Sequence, residues 1–427
     1  MRQLYNKTID EKIFLEELEN GLKVYIMPKR GYTKQFAIFA THFGSNDSKF
    51  VVPGEKDVTE VPDGVAHFLE HKMFEEEEGS VFEQFSKLGA SANAYTNFTT
   101  TAYLFASTEN FYDNLKLLVK FVQNPYFTDE NVEKEKGIIA QEIRMYQDDP
   151  NWRVYFNALE ALYHVHPVRK DIAGTIESIS KINKEILYKC YNTFYHPENM
   201  VLFAVGDIDV DKTIDVIKEN VSQKKKLGEI KRIYPDEPLS VYKNQVVQDM
   251  QVSIPLFNLG FKDTDVGFGS KNLLKKSLET QICLEMVLGR SSDLYEKLYN
   301  EGLIDSTFSF DYGGEIDYGY SIVGGQSKDP YKVRDMILEA IKNPQFLIKE
   351  DFERIKKKYV GKFLRTFNSV DSIAYSFINL YMKEINLLDY IDVLYSLTFE
   401  DVVKRFEIHL QEQNSVLSVI NPIKGQA

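Results

Sequence analysis

Two of the seven histidines stand four residues apart in AHFLEHKMFE, Ala66 to Glu75, with Glu70 directly before the second. On a helix, residues four apart share a face, with Cβ atoms about 5 to 6 Å apart. His67 and His71 can therefore both reach one small cation, and Glu70 can take a proton from a water on it. The order is HxxEH, the inverse of the commoner zinc-protease HExxH. Composition alone predicts about 0.02 chance matches to a His-x-x-acid-His pattern in a chain like this one. The plain alternative is a partly exposed helix whose histidines pair with the acids Glu75 to Glu78.

A catalytic zinc takes three protein ligands and leaves its fourth position to water, so a third ligand must come from elsewhere. EKEKGIIAQEI, Glu133 to Ile143, offers Glu135 and Glu142. They are seven residues and two helical turns apart on one face. One can bind the cation while the other holds a histidine in its working tautomer. Spacing does not say which does which, and taken alone the run reads more readily as a solvated helix with ordinary charge pairs.

The elements that must carry these residues alternate between strand and helix. LKVYIMP (22–28), FAIFATHF (36–43) and NAYTNFTTTAYLF (93–105) are rich in β-branched and aromatic residues, as strands are. Residues 64–77 and 111–123 carry apolar side chains at helical spacing. The pattern then recurs. Asn124-Pro125-Tyr126-Phe127 returns as Asn343-Pro344-Gln345-Phe346, Phe82-Glu83-Gln84-Phe85 as Tyr295-Glu296-Lys297-Leu298, and Asn199-Met200-Val201-Leu202 as Asn414-Ser415-Val416-Leu417, at displacements of 219, 213 and 215. Three anchors in one order imply a duplicated domain. The expected fold is α+β, two homologous domains, each a mainly antiparallel sheet backed by helices. They should span 1–223 and 241–427, with a linker over 224–240 where charges and prolines break the pattern. Carried into the second copy, His67, Glu70 and His71 fall on Thr280, Cys283 and Leu284, and Glu142 falls on Lys362. The proposed site is thus confined to one copy.

Composition narrows the partners. A net charge of -13 over 427 residues argues against a nucleic acid or an anionic membrane as partner. The first residues lack the apolar run of a secretory signal, and no later run approaches the roughly 18 residues a membrane span needs. A cytoplasmic protein is expected. Cys190 and Cys283 lie far apart and read as buried thiols. His42 reads as a core residue, His164, His166 and His196 as loop or helix-end residues beside prolines, and His409 as a helix residue without a partner.

GVAHFLEHKMFE, the NAYT strand and the E-x6-E of the later helix, together with HPVRKDIAGTIESI from His166 and YHPENMVLFAVGDID from Tyr195, resemble the pitrilysin and insulinase metallopeptidases, the inverzincins. The wording is most similar to their half-length bacterial YmfH-type members. The resemblance implies a LuxS/MPP-like metallopeptidase fold and a zinc endopeptidase holding one Zn2+ per chain. His67, His71 and Glu142 would be its ligands, Glu70 the general base and Glu135 the supporting acid. It further implies that an extended peptide adds as a strand along Ala92, Asn93, Ala94 and Tyr95, inside a chamber closed by two domain pairs. Homodimeric members carry an arginine and, seven residues on, a tyrosine that grip substrate; here Tyr299 and then Asp305 or Ser306 stand in those places. A dimer with a related, metal-free partner chain is therefore favoured, with a homodimer as runner-up. The competing reading is a non-catalytic peptide-binding or scaffold subunit of a peptidase complex.

Overall fold

In the computed structural model, which describes residues 1–77, 79–224, 227–345 and 347–423, the chain forms two units. The first comprises Met1–Ile143, Lys170–Tyr234 and Leu364–Met382. Its seven-stranded sheet runs Arg2–Asn6, Glu11–Glu17, Lys23–Pro28, Met200–Gly206, Gln35–Thr41, Thr101–Ser107, Ala90–Thr96. Every neighbouring pair is antiparallel except Lys23–Pro28 with Met200–Gly206. The strand Met200–Gly206 is buried throughout, as its unbroken apolar run requires of a strand covered on both faces. Part of that cover is the helix Val370–Tyr381, whose Phe377 stacks on Phe203 with ring centroids 4.2 Å apart and meets Tyr25 at 4.8 Å.

The second unit comprises Arg144–Arg169, Pro235–Phe363 and the chain from Lys383 onward. Its five-stranded sheet runs Gln245–Met250, Ser415–Pro422, Leu256–Lys262, Gly319–Gln326, Ser309–Gly314. The first two strands are parallel and the rest antiparallel. This is the order, and the position of the single parallel pair, found in the last five strands of the other sheet. The duplication read from short anchors is thus repeated in topology. On this sheet lies the helix Pro150–Leu162, with Val154 packed against Leu256 and Ile420. Leu162 comes so close that a Cβ on Gly260 would stand 3.0 Å from its Cδ1.

The units do not follow the contiguous spans 1–223 and 241–427. Pro150–Leu162 precedes strand Met200–Gly206 in the chain yet packs in the second unit, while its counterpart 220 residues on, Val370–Tyr381, packs in the first. Each helix buries its apolar stripe on the other copy's sheet, a choice that no local pattern encodes. The segment 224–240 is also less free than a linker. Within the first unit Asp47 accepts from Arg232 Nε at 3.0 Å and from Tyr234 OH at 2.8 Å. Within the second, Glu237 accepts from the backbone N–H groups of His164, Val165 and His166, each at 2.8 Å, and from Lys262 Nζ at 2.6 Å. Residues 225–226 lie outside the described residues. His409, read as partnerless, is buried with its Nε2 2.6 Å from Ser321 Oγ. Among the described residues no helix is long and apolar enough to cross a membrane.

Residues 1–240 expressed alone would lack Val370–Tyr381 and uncover Phe203, Phe36 and Tyr25. At about 1.5 to 3 kcal/mol per fully exposed large apolar side chain, that loss is a large part of a marginal stability of about 5 to 15 kcal/mol. The fragment should bind a hydrophobic dye and melt without cooperativity, and co-expression with residues 241–427 should restore a cooperative melt. A cooperative, dye-silent melt of 1–240 alone would count against the exchange.

Candidate metal centre

The histidine helix, Val65–Met73, starts at Gly64, which adopts a left-handed φ of 91°. A Cβ there would lie 2.4 Å from the carbonyl oxygen of Ala173, so glycine is required on both conformational and steric grounds. The facing turn is equally tight, since a Cβ on Gly174 would sit 2.5 Å from the carbonyl oxygen of Asp63. Lys170 Nζ reaches Asp63 Oδ1 at 2.9 Å, and Ser178 Oγ donates to the carbonyl of Asp63 at 2.8 Å. This clamp explains why DIAGTIES occurs about a hundred residues after the histidines: it seats the start of their helix. Phe68, Leu69 and Met73 are buried on the same helix and hold the other face to the core.

His67 and His71 share one face, with ring centroids 4.6 Å apart. The second helix, Asp129–Asp148, brings up both acids. Glu142 presents Oε1 to His67 Nε2 at 3.6 Å and Oε2 to His71 Nε2 at 3.4 Å. Glu135, one face but two turns away, takes His71 from behind, with Oε1 3.0 Å from Nδ1. Distance therefore sets the two acids apart: Glu142 faces both rings and Glu135 faces one. Donor atoms of His67, His71 and Glu142 lie within 4.8 Å of one another, the one such group of three among the described residues. Donors each about 2.1 Å from a tetrahedral zinc stand about 3.4 Å apart, and each imidazole Nε2 has one Glu142 oxygen at about that separation.

Electrostatics point the same way. Three carboxylates surround two imidazoles. Burial by itself would lower the His71 pKa, but the hydrogen bond its Nδ1 donates to Glu135 and the charges of Glu142, Glu135 and Glu70 outweigh it and leave it raised. Such a site is short of positive charge. Burial raises the Glu70 carboxyl above its ordinary value, opposed by a hydrogen bond from Thr96 Oγ1 to Oε2 at 2.7 Å. Thr96 in turn lies on the edge strand Ala90–Thr96, which pairs on one side with Thr101–Ser107 and ends the sheet. Among the described residues no strand pairs with its other side, so Ala92, Asn93, Ala94 and Tyr95 lie on the edge of the sheet, which meets Glu70 through Thr96. Asn93 Oδ1 accepts from the Ala94 N–H at 2.9 Å, and Tyr95 turns to the opposite face, where its ring meets Tyr375.

The alternative pairing of the histidines with Glu75 to Glu78 is not what the structure shows. Glu75 bonds Lys72 and Glu76 bonds Gln84 Nε2; Glu78 lies outside the described residues. In the second copy, Thr280, Cys283 and Leu284 are buried on the helix Ser270–Leu288, with Thr280 Oγ1 accepting from Arg405 Nε at 2.7 Å. Burial pushes the Cys283 thiol up to about 12. Lys362 lies over the Tyr359 ring. Among the described residues no donor set in the second copy replaces the first copy's. Tyr299 is 55% exposed, and Asp305 Oδ1 is taken by Thr307. Sequence reasoning missed two residues of the centre, Thr96 and Lys72. Thr96 stood in the quoted NAYT, whereas Lys72 carried no signal, because a lysine on a helix is ordinarily exposed.

Residues 57–176 match the family model described as Insulinase (Peptidase family M16), and residues 181–359 match the one described as Peptidase M16 inactive domain. Over 397 residues the chain is 46% identical to the zinc protease YmfH of Bacillus subtilis strain 168, covering 92% of this chain and 93% of that one. The chain belongs to the M16 insulinase peptidase family. Among M16 structures, an M16-like peptidase from Alicyclobacillus acidocaldarius superposes with a TM-score of 0.92 at 40% identity, covering 96% of this chain and 98% of the other. A Helicobacter pylori protease shares the fold with a TM-score of 0.80 at 20% identity, over 96% and 100% of the two chains. The first M16 match contains the histidine pair, Glu70, Glu135 and Glu142, and the second, which runs from the end of the first copy into the second, contains none of them.

The geometry ranks the two acids. Replacing Glu142 with Gln should weaken zinc binding by more than about a hundredfold, and replacing Glu135 with Gln by about 10- to 100-fold, as for a residue that orients a ligand. Chelator competition on the two variants reads both. Equal losses, or a larger one for Glu135→Gln, would reverse the assignment.

Proposed function

We propose that this chain is the zinc-carrying subunit of an endopeptidase for extended or unstructured peptides. The observation that carries the reading is the convergence of His67, His71 and Glu142 with Glu70 beside them and a free sheet edge reaching the same place. His67, His71 and Glu142 would hold the ion, which when bound supplies Lewis-acid polarisation and a water of lowered pKa. Glu70 lies next to His71 in the chain, and one of its oxygens is occupied by Thr96. Its carboxylate takes the proton of the attacking water and returns it to the departing amine, a role typically worth about 10²- to 10⁴-fold. Burial, which raises its proton affinity, suits it to that exchange.

Peptide enters along Ala90–Thr96 as an added strand, contributing main-chain hydrogen bonds and leaving selectivity to alternate side chains. A folded protein has no free extended segment to offer this edge, so unstructured chains are the substrate class. The grip that homodimeric members supply from their second domain is absent at Tyr299 and Asp305, and we assign it to a related, metal-free partner that closes the chamber. A non-catalytic role would suit the second copy, where Thr280, Cys283 and Leu284 leave no donors. The first copy retains the full set.

Glu70→Gln should keep the wild-type zinc content and lose about 10²- to 10⁴-fold in hydrolysis of an unstructured peptide. The assay should use the native complex recovered through this chain, with the chain alone beside it. Equal hydrolysis by wild type and variant would remove Glu70 from its role; full activity of the chain alone would remove the partner.

A further inference from the structure

Lys72 follows the second histidine and is 0% exposed. A buried ammonium is costly unless it is paired. Its Nζ bonds Glu75 Oε2 and lies 4.0 Å from Glu135 Oε2. The other oxygen of Glu135, Oε1, is the one 3.0 Å from His71 Nδ1. The two oxygens of this carboxylate thus face two different partners, an imidazole N–H and an ammonium. Glu142 differs, because both its oxygens face imidazole Nε2 atoms. His67 supplies a contrast: its Nδ1 is buried without a hydrogen-bond partner, so His71 is the histidine of the pair whose ring is held from behind.

We propose that Lys72 is a positioning residue that decides the roles of the two glutamates. By drawing Oε2 of Glu135 away from the imidazole faces, it holds that carboxylate behind His71 as an orienting acceptor and leaves Glu142 as the carboxylate presented to the cation. Without the ammonium, Glu135 can rotate about its terminal bond, its hydrogen bond to Nδ1 loosens, and His71 loses its fixed tautomer. The sequence correlate is the lysine at the first position after HxxEH paired with E-x6-E. The inference rests on the zinc reading above and concerns how tightly this chain binds that ion.

Zinc affinity of the full chain, measured by competition with a chromophoric chelator, tests it without recourse to activity. Lys72→Met should bind zinc about 3- to 10-fold more weakly, less than the loss of the orienting acid itself. Lys72→Arg, which keeps the charge, should stay within about twofold of wild type. In the Glu135→Gln background, Lys72→Met should cost nothing further, because its target is already neutral. Wild-type affinity in a folded Lys72→Met, or losses that multiply across the two sites, would overturn the proposal. Should Lys72→Met not fold, Glu75→Gln decides: it removes the competing partner at the surface and should leave affinity within about twofold. A loss as large as that of Glu135→Gln would instead show that Lys72 serves Glu75. A wild-type chain that takes up no zinc would sink the parent reading, whereas zinc uptake indifferent to Lys72 would sink this inference alone.

Discussion

Two imidazoles and a carboxylate stand 3.4 and 3.6 Å apart only if the helices that carry them are fixed to within a fraction of an ångström. Much of what surrounds the site serves that constraint. Gly64 lets the histidine helix start against Ala173, and Gly174 returns the favour against Asp63, so the two backbones touch where side chains would separate them. Val132, Ile139 and Ile143 bury one flank of the acid helix and so aim Glu135 and Glu142 across the gap. A shift of one residue on either helix would turn the donors about 100° away.

Charge sets the second condition. Glu70, Glu135 and Glu142 crowd one half-buried region, and the His71 pKa rises because these acids outweigh the cost of burying its charge. The ammonium of Lys72, 4.0 Å from Glu135, offsets part of that excess, and a divalent ion held by His67, His71 and Glu142 would offset more of it. The edge strand is tied to the same centre by one hydroxyl, Thr96 Oγ1, which also lies 3.2 Å from Thr101 Oγ1 on the neighbouring strand. The edge strand and the Glu70 carboxylate are therefore tied to each other through this hydroxyl.

Duplication supplied the scaffold and then diverged. Both sheets keep the same strand order around one parallel pair. Where the first copy carries donors, the second carries a threonine, a thiol and a leucine, and its interior is organised by Asp263 with Arg405, Lys276 and Tyr312. The Asp263 carboxyl falls well below its ordinary range, because the charges of His409, Arg405 and Lys276 outweigh the cost of burial. The first copy gathers polar side chains at the candidate metal centre, and the second gathers them around Asp263 in its core.

Local pattern carries the short-range facts. The 3.6-residue period puts His67 beside His71 and Glu135 on a face with Glu142, strand composition marks 22–28 and 36–43, and repeated anchors mark the duplication. Those properties depend on neighbours within a few turns, so the sequence alone determines them. What lay beyond it depends on contacts between distant segments. Spacing leaves Glu142 and Glu135 equivalent on their helix; the resemblance orders them, and the tertiary structure places His71 Nε2 towards one and its Nδ1 towards the other. Only it inserted Met200–Gly206 between Lys23–Pro28 and Gln35–Thr41, exchanged Pro150–Leu162 for Val370–Tyr381, gave His409 its serine and buried Lys72. An amphipathic stripe records that a helix will bury one face. It does not record which sheet will cover it, because any apolar surface of the right shape satisfies the same free energy.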